Sequence, residues 1–349
     1  MDYVSLRPGY EISRVIRGGW QLAGGHGAVD RRAAVDDLIA SAEAQITSFD
    51  CADIYTGVEE IIGEFRTAYR NKHGAEALGR IKVHTKFVPD LDILPKISKS
   101  HVTRVIDQSL RRLSMERLDL VQFHWWDYAV PGHVDAALWL VDLQREGKIH
   151  LLGGTNFDTP HSAELIAHGF PLVSMQVQYS LLDARPEHGL VALGRRHGMQ
   201  LLCYGSVAGG FLSDRWLGRP EPRPPFENRS LTKYKLIIDD FGGWELFQHL
   251  LTSLRSIADA HRSDIATVAS RAMLDRPQVS AVIVGARNQN YLEANRAIAR
   301  LKLDADDHAR IDEVLRQRQG PQGDTFALER DRGGRHGSIM KYNLNKEAS

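Results

Sequence analysis

The sequence predicts an α/β fold, a closed (β/α)8 barrel of the TIM type, and three observations predict it. Eight short apolar runs recur, each ending in a polar or glycine-bearing turn, and most are followed by an amphipathic stretch. Their ends, taken at Arg17, Asp50, Lys86, His124, Asn156, Gln178, Gly205 and Gly285, lie 22 to 38 residues apart until a final step of 80. That spacing suits one strand and one returning helix, the unit of a parallel sheet with right-handed crossovers. Third, the residues able to do chemistry cluster at the strand ends, which in a barrel form one mouth. The barrel is expected to fill residues 1–320 as a single domain, with 321–349 as a C-terminal tail.

Composition narrows the field before any motif is read. The 349 residues hold 44 Lys plus Arg against 44 Asp plus Glu, so no polyanion such as nucleic acid is expected as the main partner. The two cysteines, Cys51 and Cys203, lie in separate segments without metal-ligand spacing, which fits a reducing compartment and no bound metal. The first residues lack the charged start and apolar run of a secretory signal, and no apolar run approaches about 18 residues. A cytoplasmic protein with no membrane association is expected.

Taken in order, ISRVIRGGW reads as the first strand and the glycine turn Gly24–Gly27 as a loop. Asp30 is the expected N-cap of a helix over 34–44, after which ITSFD forms the second strand. Val58, Ile61, Ile62 and Phe65 then fall at helical spacing. IKVHTK and LDLVQFH are strands three and four, flanking a helix over 102–113 with Ser100 as its cap. LLGGTN, VSMQVQ and LLCYG follow as strands five to seven. The prolines at 220, 222, 224 and 225 exclude regular structure over 215–228, so an extended loop is expected on the mouth face. Helices over 244–261 and 264–274, the latter capped by Ser263, lead to the last strand, VSAVIVG. A helix ending near Arg300 and another over 305–318 precede the tail, whose Met340, Tyr342 and Leu344 leave docking on the barrel open beside disorder.

Three neighbouring strand ends bring Asp50, Tyr55, Lys86 and His124 to one mouth. An ammonium beside a phenol favours phenolate and lowers its pKa, a carboxylate holds that ammonium in place, and a histidine orients or polarises a carbonyl oxygen alongside. Such a set delivers a proton to an oxygen that is gaining negative charge.

Phe49 to Tyr55, read with VEEIIGEF, with Thr85-Lys86 and with the run Asp119 to Trp125, resembles the aldo-keto reductases. The similarity extends from Gly18-Gly19-Trp20-Gln21 to Asn295, with Cys51 in place of a threonine. The resemblance implies that Asp50, Tyr55, Lys86 and His124 form a catalytic tetrad with Tyr55 as general acid. It implies a nicotinamide cofactor, NADP with NAD as the alternative, whose carboxamide meets Thr155, Asn156 and Gln176 and whose ring stacks on Tyr204. Gly19, Trp20, Gly205 and Ser206 are further cofactor contacts on the same resemblance. Gly285, Ala286, Arg287 and Asn295 resemble the phosphate and adenosine site, with Arg287 the candidate for a 2′-phosphate. Val284, Tyr291 and Ala294 depart from the family pattern there and leave the choice of dinucleotide open.

The substrate is expected to be a small carbonyl compound or alcohol in a pocket walled by Trp20, Trp125 and Trp126. The loop arginines Arg215, Arg219 and Arg223 would favour a carboxylate or phosphate, or stand solvated. Two other readings use the same barrel: a nicotinamide-binding regulatory or redox-sensing subunit, and a non-redox isomerase or aldolase. The sequence names neither the substrate nor the oligomeric state.

Overall fold

The computed structural model describes residues 2–24, 27, 29–285 and 289–345. The chain opens with an antiparallel hairpin, β1 (Tyr3–Arg7) and β2 (Tyr10–Ser13), turning at Pro8-Gly9 where Gly9 takes φ +80°. The sequence reading ran the first barrel strand through Ile12 and Ser13. The run instead breaks at Arg14, whose guanidinium donates to the carbonyls of Leu274, Ser280 and Val279 at 2.6, 3.1 and 3.2 Å. The hairpin closes the bottom of the barrel, where Leu6, Tyr10 and Ile12 pack on Ile16, Leu120, Val173, Leu202 and Ala281.

The barrel then builds in repeating units. β3 (Val15–Gly18) and α1 (Arg31–Glu43) lead to β4 (Ser48–Asp50) and α2 (Val58–Gly79). β5 (Lys82–Phe87), α3 (Lys99–Arg112), β6 (Leu118–Phe123) and α4 (His133–Arg145) follow. Next come β7 (Ile149–Thr155), α5 (Thr159–Ala167), β8 (Leu172–Gln178), α6 (Leu190–His197) and β9 (Gln200–Tyr204). Three helices, α7 (Arg229–Phe241), α8 (Gly243–Ala260) and α9 (Ile265–Leu274), fill the long step before β10 (Val279–Gly285). α10 (Leu292–Arg300), α11 (Ala305–Leu315) and a short α12 (Ala327–Arg330) complete the described chain. The strands close in the order β10-β3-β4-β5-β6-β7-β8-β9, all parallel, and each barrel strand ends within one residue of the position read from sequence.

Helix starts differ from expectation where a better acceptor stands nearby. Asp30 caps α1 as expected, accepting from Arg32 N and Ala33 N. Ser98, not Ser100, caps α3, because Ser98 is the extended residue whose hydroxyl reaches His101 N. Asp264, not Ser263, caps α9, its carboxylate accepting from Thr267 N at 2.7 Å. The helix expected over 305–318 stops at Leu315. α7 was not foreseen, although Leu231, Tyr234, Ile237, Ile238 and Phe241 fall at helical spacing behind an Asn228 cap and are buried. The expected loop opens on a 3-10 turn, Asp214–Trp216, and beyond it has no regular structure up to Asn228; it is pinned to α8, with Trp244 Nε1 donating to Arg219 O at 3.0 Å.

The layer of helices packs closely at α2 and α3. A Cβ at Gly63 would lie 2.1 Å from the Arg112 carbonyl oxygen, whereas one at the exposed Gly79 would meet nothing within 4 Å. Gly63→Ala is therefore expected to lower stability by about 1–3 kcal/mol, since the helices must part. Gly79→Ala is expected to be neutral or to stabilise by up to about 1 kcal/mol. Urea unfolding midpoints of the two variants check this.

Candidate active site

The mouth is organised by one buried carboxylate. Asp50 ends β4, and its Oδ2 accepts from Lys86 Nζ at 2.7 Å in a pair with both side chains almost wholly buried. Its Oδ1 accepts from Gln176 Nε2 at 2.6 Å and Gln122 Nε2 at 3.1 Å. Lys86 also donates to Cys51 O at 2.8 Å. Strand alternation explains the set: Lys86 lies on β5 beside Gln122 on β6, and Gln122 shares its side of the strand with His124. Gln122 was not singled out in the sequence, although its spacing two residues before His124 placed it inward.

Tyr55 stands in the turn between β4 and α2, held by Tyr55 N to Ala52 O and Val58 N to Tyr55 O, both 3.0 Å. The Lys86 ammonium sits 5.1 Å from the centre of its ring, and Trp20 meets the ring edge-on at 5.1 Å. The sequence reading expected a phenol made acidic by the amine. Burial instead dominates and holds the Tyr55 phenol above its ordinary value, with Lys86 pulling in the expected direction against it. For Lys86, burial pulls the ammonium down, but Asp50 and Tyr55 outweigh it and hold its pKa above the ordinary value.

His124 follows β6, and its Nδ1 lies 2.9 Å from the Thr155 carbonyl oxygen. A carbonyl only accepts, so Nδ1 carries the proton and Nε2 presents a lone pair. Burial, aided by the Arg330 charge, lowers this imidazole to about 3 and keeps it neutral. Nε2 is buried with no partner. In this tautomer Nε2 is set to orient a ligand by accepting a hydrogen bond.

The remaining expected positions divide. Trp126 is buried and crosses His124 at 88° with centroids 4.3 Å apart. Trp125 faces the other way, fully buried against Phe123 and His133, with Nε1 donating to Asp127 O and Val130 O. Consecutive residues of an extended run point to opposite sides, so only one of the two tryptophans can share the side of His124. Trp20 is 37 % exposed at the rim.

Tyr204 OH donates to Asn156 Oδ1 at 2.9 Å, and Gln176 gives its Nε2 to Asp50 and to Gln122 Oε1, leaving Gln176 Oε1 to accept. Ser206 turns its hydroxyl into the core, 3.0 Å from Ser270 Oγ, so only its backbone is available to a ligand. Gly205 has φ +79° and a Cβ there would lie 2.4 Å from Tyr234 OH, which requires glycine. Gly19 has an ordinary backbone but no room for a side chain, since a Cβ there would lie 2.7 Å from Asp50 O. Asn295 is buried on α10, and Gly285 ends β10 against the Gln21 side chain. Ala286 and Arg287 lie outside the described residues.

The tail supplies side chains that the sequence reading did not foresee. Phe326 stands 5.6 Å from His124 by ring centroids, and Arg330 Nη2 donates to Trp125 O and Asn156 O at 3.0 and 2.9 Å. Glu329 is fixed by Arg185, and the tail amides of Leu344 and Asn345 donate to Asp90.

Comparison with known proteins places this barrel among the oxidoreductases that act on carbonyl and alcohol groups. Residues 14–316 match the model of the Aldo/keto reductase family, and the chain belongs to that family, whose members use nicotinamide cofactors. It is 25% identical over 326 residues to the aldo-keto reductase YhdN of Bacillus subtilis, covering 90% of this chain and 94% of that one. It is 27% identical over 218 residues to the NADH-specific methylglyoxal reductase of Escherichia coli, covering 58% and 66%. The fold matches the glycerol dehydrogenase AKR11B4 of Gluconobacter oxydans with a TM-score of 0.74 at 23% identity, over 91% of this chain and 96% of that one. No helix among the described residues is long and apolar enough to cross a membrane.

Two histidines in the barrel carry a pH signature. Burial lowers His84 to about 4 and His124 to about 3. The unfolded chain binds these protons near pH 6.5 and the folded chain does not, so stability is full above that pH and falls as pH drops toward 4. The loss is expected to reach about 1.4 kcal/mol per pH unit for each histidine. Urea midpoints from pH 7 to 5 measure it, and His84→Leu should remove about half of the slope from these two groups.

Proposed function

We propose that the chain reduces aldehydes or ketones with a nicotinamide cofactor, and oxidises the corresponding alcohols in reverse, with Tyr55 as the proton donor. The observation that carries this reading is the buried Lys86–Asp50 pair beneath the Tyr55 ring, beside a neutral His124. The donor set fits a carboxamide: Gln176 retains a free acceptor, while Asn156, whose Oδ1 takes the Tyr204 hydroxyl, retains the two donors of its amide nitrogen. Tyr204 offers a flat aromatic face to a flat ring. The nicotinamide, when bound, supplies the hydride that goes to the carbonyl carbon.

The protein's own residues then handle the oxygen. Tyr55 donates its proton to that oxygen, and its raised pKa keeps the phenol loaded at neutral pH. Lys86 stabilises the phenolate left behind, and Asp50, fixed by Gln122 and Gln176, keeps the ammonium charged and in place. The His124 lone pair accepts from the new hydroxyl and holds it at the site. Trp126 and the ring of Phe326 narrow the pocket and exclude water.

For the dinucleotide, NADP is the favoured form and NAD the alternative. Arg287, between Gly285 and α10 in the chain, supports binding of a 2′-phosphate by charge-assisted hydrogen bonds. The NADH specificity of the Escherichia coli methylglyoxal reductase supports the alternative.

Tyr55→Phe is expected to lower kcat by about 10²- to 10⁴-fold with cofactor binding retained. Full turnover in steady state by that variant would refute the proton-donor role. In the oxidative direction, rate should climb into the alkaline range as Tyr55 loses its proton, and Lys86→Met should move that limb to higher pH. A profile of alcohol oxidation against pH for both proteins checks the direction. Arg287→Ala is expected to weaken NADPH about tenfold more than NADH, a difference of about 1.4 kcal/mol. Equal losses in a fluorescence titration would remove the assignment.

A further inference from the structure

Around the Phe326 ring the structure collects hydrogen-bond donors without acceptors. The ring lies 5.6 Å from His124 and 6.4 Å from Trp126, with the Arg330 guanidinium 5.3 Å and the Lys233 ammonium 5.8 Å from its centre. Arg330 is anchored through Nη2 to the carbonyls of Trp125 and Asn156, one residue beyond His124 and Thr155, and it stacks 4.1 Å from the centre of the Tyr128 ring. Its Nε and Nη1 are buried with no acceptor, and so is Trp126 Nε1.

Among the described residues, Arg330 has no ion-pair partner. The adjacent Glu329 is held at 2.8 and 3.0 Å by Arg185, which also grips Asp183. Lys233 Nζ stands 4.0 Å from Glu329 Oε1, beyond hydrogen-bond reach but close enough to balance charge. Arg185 and Lys233 thus match Asp183 and Glu329, while the Asp158 carboxylate acts on Arg330 through space and takes none of its N–H groups. A buried guanidinium with unmatched N–H groups is costly, and aromatic faces offset that only in part. The ligand chemistry that satisfies donors alone is an anionic oxygen group such as a carboxylate.

Building on the reductase reading above, we propose that this wall is a carboxylate subsite and that the substrate is an oxo acid. Its carbonyl sits at Tyr55 and His124, and its carboxylate faces Arg330, Trp126 Nε1 and Lys233. The carbonyl carbon takes the hydride, its oxygen takes the Tyr55 proton, and the product is the hydroxy acid with the carboxylate unchanged.

The test compares 4-carboxybenzaldehyde and 4-oxobutanoate with their methyl esters, which keep size and reactivity and lose the charge. Wild type is expected to favour each acid by at least about tenfold in kcat/KM, through KM. In Arg330→Ala that acid-to-ester ratio should fall at least about tenfold, and in Lys233→Gln, which lies off the tail, by a smaller factor. Arg330→Lys, which keeps the charge, should recover part of the ratio. Equal use of acid and ester by wild type, or equal losses on both in Arg330→Ala, would overturn the subsite while leaving the reductase reading intact if turnover still depends on Tyr55. A larger preference for glyceraldehyde 3-phosphate over glyceraldehyde than for acid over ester would assign the wall to phosphate and overturn the carboxylate. Turnover of none of these with NADPH or NADH would overturn the parent reading and this one with it.

Discussion

The ion pair between Lys86 and Asp50 is the constraint on which the mouth depends. It is buried where water cannot solvate either charge, so it persists only because the two charges meet at 2.7 Å and the other carboxylate oxygen is taken up by Gln122 and Gln176. Removing one member of such a pair typically costs about 3–5 kcal/mol because the other is stranded. Four consecutive or near-consecutive strands, β4, β5, β6 and β8, are tied to one point by these bonds. The geometry of the strand ends and the electrostatics of the pocket are therefore one problem.

The phenol is the place where expectation and structure diverge in an informative way. Proximity to an ammonium predicts an acidic tyrosine, yet desolvation acts on the same group and is the larger effect. A donor that stays protonated at neutral pH suits delivery of a proton, and the ammonium acts on the anion that forms afterwards. Burial likewise keeps His124 neutral, so the positive charge at this mouth belongs to lysine and arginine.

Much of this was legible in the sequence because strand ends carry both the fold signal and the chemistry. The FDCADIY and HTK runs mark Asp50, Tyr55 and Lys86 as strand-end residues, and the 3.6-residue period locates most helices. The hairpin was missed because Ile12 and Ser13 continue an apolar run that is broken by the contacts of Arg14 with distant carbonyls, which no local pattern shows. Trp125 and Trp126 are indistinguishable by composition, and only the alternation of an extended chain separates them. Arg330 and Phe326 were hidden for a different reason: a glycine-rich tail has no periodicity, and its place is set by long-range bonds such as Arg185 with Glu329 and Asp90 with Leu344 and Asn345.

The hairpin and the tail leave the two ends of the described chain on opposite faces. Leu6, Tyr10 and Ile12 seal the floor, while residues 324–345 pack on the loops at the rim. Anchoring the molecule to a surface or a fusion partner through its first residues would keep the opening clear. The same attachment through the described tail, at Leu344 and Asn345, would sit beside the entrance and crowd it.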